Sequence, residues 1–132
     1  MKEEIIESNL AKKAAIWCFN KAWDYLDNEQ LNDEEKSELL NLVHSSLWLW
    51  TQVKGHTKTN LSIGYWQISR AYAKIKDGSN AVIYCKKCVE VSSDSSVEAF
   101  FLAYGYEVLC RGLILLGEKD EASKNLIREK KN

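Results

Sequence analysis

The chain has 132 residues, 45% apolar and 28% charged, a soluble globular balance in a length that suits one domain. Its net charge of -1 excludes the broad basic field that nucleic acid or anionic lipid would require. Proline is absent and glycine occurs six times, so helix formers run with few breaks and the expected class is all-α.

The N-terminus, Met1-Lys2-Glu3-Glu4, is acidic and lacks a secretory apolar core. With no export signal, cysteines 18, 85, 88 and 110 read as reduced thiols, and a cytoplasmic protein is expected. A first helix is predicted from about Glu4 to Leu26, with Ile6, Leu10, Ala14, Trp17, Ala22 and Tyr25 spaced three to five apart. Asn32 followed by Glu35 predicts a capping box that opens a second helix, reaching about Val53. A polar loop, Lys54 to Thr59, precedes a third helix from about Asn60 to Ile75. Asp77-Gly78 ends it, and a fourth runs from about Ser79 to Val91. Ser95 and Glu98 repeat the capping-box pattern before a fifth, to about Leu116. Gly117 is expected to stop it as a C′ residue, leaving a short charged sixth helix from about Glu118 to Lys130. The apolar stretch Ala99 to Leu116 is interrupted by Glu107 and Arg111. It reads as a buried helix and not a membrane span.

Short turns imply antiparallel neighbours, hence three hairpins at about 4–53, 60–91 and 95–130 in one domain, 1–132. The last two share a pattern: Tyr65, Ile68, Tyr72, Ala81 and Cys85, followed by Cys88, answer in their first five members to Tyr106, Leu109, Leu113, Ala122 and Leu126, with the two alanines 41 residues apart. The first set, without gaps, resembles the tetratricopeptide-repeat (TPR) signature, whose period is roughly 34 residues. Lys76 stands where the signature has its turn glycine, Ser69 and Cys110 where it has a small residue, and Glu129 where it has a late small one. The run "GYWQISRAY" after "HSSLWLW" also resembles small uncharacterised bacterial TPR-like proteins. The resemblance implies three hairpins stacked as a short right-handed superhelix, with the first helix of each lining a concave groove. It places Trp66, Arg70, Tyr104, Glu107 and Arg111 along that groove. A tryptophan, two arginines and a glutamate can grip a peptide carboxylate or another small anion.

His44 and Trp48, four apart at one edge of an almost wholly apolar second helix, are expected to close the end of the groove beside Trp66, or to pack internally. Cys85-Lys86-Lys87-Cys88 has redox or zinc spacing, but late in a helix the dipole disfavours thiolate, so both thiols read as packing residues. Neither a nucleophile elbow, a phosphate loop nor a metalloprotease motif occurs, and no catalytic residue, cofactor or metal is expected. The expected function is a non-catalytic interaction module that binds a protein or peptide segment in the groove. Alternatives are a small-molecule or anion sensor capped by His44 and Trp48, or a structural homodimer formed through the N-terminal helix with Trp17 and Trp23.

Overall fold

A computed structural model describes the backbone of residues 4–131 and the side chains of residues 4–119. All regular structure in it is helical: α1 (Ser8–Leu26), α2 (Asp33–Thr51), α3 (Lys58–Lys74), α4 (Gly78–Ser92) and α5 (Ala99–Lys131). The expected cap of α2 is present, Asn32 Oδ1 accepting from the Glu35 backbone N–H while Glu35 accepts from that of Asn32. A second box, Thr57 with Asn60, opens α3 two residues before its expected start. Glu7 caps α1, its carboxylate accepting from the N–H groups of Asn9 and Leu10. The turn before α5 is tied by Asp94, which accepts from Ser96, so the helix begins after the expected Ser95 cap.

Successive helices run antiparallel, as their contact registers show. Ser46 of α2 donates to the Ala15 carbonyl of α1, and Ser8 accepts from the Lys54 N–H at the other end of the pair. Ser69 of α3 donates to the Ala81 carbonyl of α4, while Ser62 meets Ser92 at 2.6 Å two turns away. Small residues mark each crossing: Ala11, Ala15, Ala71 and Ala81 are fully buried, which lets the backbones approach closely enough for these bonds. Leu39, Val43 and Ile68 fill the space between α1, α2 and α3, each burial contributing roughly 1.5–3 kcal/mol. Cys85 and Val108 centre a second cluster between α4 and α5. Gly105 and Gly112 of α5 lie against Val89 and Val82 of α4, where an added methyl would come within 3.1 and 3.0 Å of the valine side chains.

Two expectations are corrected. Residues 99–131 form one helix with no break at Gly117, so the fifth and sixth expected helices are continuous and do not form a hairpin. Gly117 has no positive φ. A glycine costs a helix interior only about 1 kcal/mol, and the helix formers on either side outweigh it. The side chains of Ala122, Leu126 and Glu129, on which the second repeat copy partly rests, lie outside those described. The second correction concerns burial. Ala99–Lys119 is long and apolar enough to cross a membrane, with mean hydropathy 1.6, yet only 17% of its most apolar stretch is buried. The chain that would have folded back over its outer side runs straight on.

Candidate functional site

Helices α1, α3 and α5 share one side of the molecule, α3 packing against both of the others. Matching positions advance together along them: Phe19 of α1 shares a depression with Ile63 of α3, and Trp23 meets Trp66 and Arg70, while Ser62 and Trp66 share a depression with Phe101 and Tyr104 of α5, and Arg70 shares one with Arg111. The three helices are therefore parallel, and their side chains form a row. Phe19 lies edge-on to Trp23 at 6.2 Å, Trp23 lies 5.8 Å from Trp66, Trp66 6.0 Å from Tyr104, and Tyr104 6.2 Å from Phe100. Such pairs add roughly 0.5–1.5 kcal/mol each beyond their buried area.

Arg70, one turn beyond Trp66, sets its guanidinium 5.4 Å from the Trp66 ring and 5.8 Å from that of Trp23, within cation–π range. It makes no ion pair among the described residues. Burial, and the nearby Arg111, push its pKa below the ordinary arginine value; Glu107 and Asp27 pull the other way. Arg111 pairs with Glu107 one turn away along α5. Both partners are about half exposed, so that pair contributes little stability.

Two depressions flank the row. One of about 170 Å³ is lined by Ser62, Ile63, Trp66, Phe101 and Tyr104 and is almost wholly apolar. The other, about 310 Å³, contains Arg70, Lys74, Lys76 and Arg111 against one lining carboxylate among the described residues, Glu118. The Trp66 Nε1–H is buried and has no hydrogen-bond partner among the described residues. The side thus offers an apolar slot, an aromatic platform and a basic hollow in sequence.

No family model, curated protein or solved structure matches the chain.

Of the residues singled out in the sequence, Trp66, Arg70, Tyr104, Glu107 and Arg111 do come together here. Trp23 and Phe19 join them unanticipated; their spacing of four on one face of α1 was the available signal. The expectation for the N-terminal helix divides: Trp17 is 60% exposed, whereas Trp23 belongs to the aromatic row. His44 and Trp48 are placed elsewhere. They line a different depression with Leu61, Tyr65, Tyr84 and Lys87, which shares no lining residue with the Trp66 slot. On α3, Tyr65 and Trp66 are adjacent and so point about 100° apart, which separates the two hollows. His44 Nε2 lies 2.8 Å from the Tyr72 hydroxyl, and its ring packs edge-on to Tyr72 and Tyr84. Burial pushes its pKa below the ordinary histidine value.

Cys85 and Cys88 are fully buried free thiols. They donate to the carbonyls of Val82 and Ser62, and burial raises both pKa values, that of Cys85 to about 11. This is a packing environment, not that of an activated thiolate. Among the described residues no three His, Cys, Asp or Glu side chains converge as metal ligands.

Proposed function

We propose that the chain is a non-catalytic interaction module of TPR-like design, which binds a protein or peptide segment along the α1–α3–α5 side. The stacking of parallel α1, α3 and α5, with α2 and α4 as antiparallel partners, supports the TPR-like reading. So does the burial of Ala81 beneath Ser69. The observation that carries the binding reading is Arg70: a half-buried guanidinium spread over two tryptophan rings, with no carboxylate paired to it among the described residues. Held this way, it accepts a carboxylate with little further loss of side-chain freedom. From the apolar slot beside Tyr104 to the hollow beside Arg111 is seven helical residues, about 10 Å. An extended segment covers that span in about three residues. The ligand class is therefore a segment with a large apolar side chain and a carboxylate about three residues apart.

An array of random peptides probed with the labelled protein tests this. The expected result is enrichment of that spacing, with binding lost in Arg70→Ala and weakened in Trp66→Ala. Equal retention of the same peptides by the wild type and both variants refutes it.

A further inference from the structure

The opposite flank of α5 carries a second surface. Ala99, Ala103, Tyr106, Cys110, Leu113 and Gly117 are all exposed, and their spacing is four, three, four, three, four. That is the spacing of a heptad seam, the positions with which one helix packs along another. Tyr106 is 52% and Leu113 50% exposed, with Ile114 at the edge 61% exposed. Gly105, Val108 and Gly112, buried against α4, occupy a different arc. Large and small residues are distributed along the seam in a self-complementary way. Turn a second α5 antiparallel about a two-fold axis passing between Tyr106 and Cys110. Tyr106 then faces Cys110 of the second copy, Leu113 faces its Ala103, and Ala99 faces its Gly117. Each large side chain meets a small one. A parallel pairing would instead set Tyr106 against Tyr106 and Leu113 against Leu113.

We infer that this seam is the interface of an antiparallel two-fold homodimer. The occupant is a second copy because the seam complements itself, as an isologous interface must. The area also agrees. The strip runs 19 residues, Ala99 to Gly117, or about 28 Å. Two such strips bury on the order of 1,000 Å² together, the lower bound of a specific interface. The dimer is accordingly weak, dissociating in the micromolar range. A membrane is the poorer occupant: the apolar arc is one flank only, and the flank bearing Glu107, Arg111 and Glu118 is charged. Binding on the α1–α3–α5 side does not use the seam, so the two proposals stand or fall separately.

Sedimentation equilibrium across the micromolar range tests the dimer. The wild type is expected to dissociate reversibly on dilution. Leu113→Glu is expected to raise the dissociation constant at least about a hundredfold, since each dimer loses two apolar contacts and buries two unpaired carboxylates, each against Ala103 of the other copy. Leu10→Glu on α1, also at an exposed apolar position, and Arg70→Ala are expected to leave it unchanged. In a Cys18→Ser background a short bismaleimide is expected to link Cys110 to Cys110. That readout needs no seam variant to fold. A wild type monomeric at all concentrations overturns the inference. So does a dimer that survives Leu113→Glu but not Leu10→Glu, or a monomer that co-sediments with phosphatidylglycerol vesicles in a Leu113-dependent way.

Discussion

Gly117→Ala tests whether α5 is one helix. A methyl built on Gly117 meets nothing within 4 Å among the described residues, and the residue has no positive φ. The substitution therefore changes only helix propensity, which favours alanine by about 1 kcal/mol. Were Gly117 a left-handed C′ residue, alanine would instead cost about 1–2 kcal/mol. The two cases differ in sign and by at least about 2 kcal/mol. Gly112→Ala, five residues earlier, calibrates the measurement. It gains the same propensity, but its methyl would lie 3.0 Å from Val82 Cγ2 and 3.4 Å from the Val82 nitrogen. Carbon pairs prefer about 3.5–4.0 Å. A helical valine is stiff at χ1, so α4 and α5 must part slightly, at an overpacking cost of about 1–3 kcal/mol. Urea unfolding of dilute protein, with an unchanged m-value, should show Gly117→Ala more stable by up to about 1 kcal/mol, and Gly112→Ala less stable by about the same. Destabilisation by Gly117→Ala would refute the continuous helix.

Lys76, at the end of α3, holds φ 66°, a region costly for any side chain; Lys76→Gly should stabilise by about 1 kcal/mol, read as a higher urea midpoint. Ile68 is fully buried in the main core, and Ile68→Ala should destabilise by about 2–5 kcal/mol in the same assay. His44 has a pKa lowered by burial, so the unfolded chain takes up its proton first as pH falls. Stability should be level above the ordinary histidine value, about 6.5, and decline below it until the folded group also titrates. His44→Phe should flatten that segment of a stability–pH curve, and an unchanged slope would remove the assignment. Native protein should react with maleimide at Cys110 while Cys85 and Cys88 stay protected until unfolding; rapid labelling of all three, seen by mass spectrometry, contradicts their burial.

The helical class was legible because it depends on local terms. Few breakers, apolar residues three and four apart and the Asn32–Glu35 box act within a turn or two of the chain. For the same reason Trp66, Arg70, Glu107 and Arg111 could be grouped: they project at predictable angles from helices in matching positions. What lay beyond the sequence depends on partners remote along the chain. Gly117 is compatible with a helix end or a helix interior, and a difference of about 1 kcal/mol is too small for that one residue to decide. Trp23 takes its place under Arg70 only because α1 lies beside α3. His44 and Trp48 part from Trp66 because adjacent residues of α3, Tyr65 and Trp66, point to different sides of the molecule. The apolar stretch of α5 carries the same hydropathy whether covered or bare. Its exposure was decided by the path of the chain after Gly117, and periodicity within one segment does not record which of its faces a distant segment will cover.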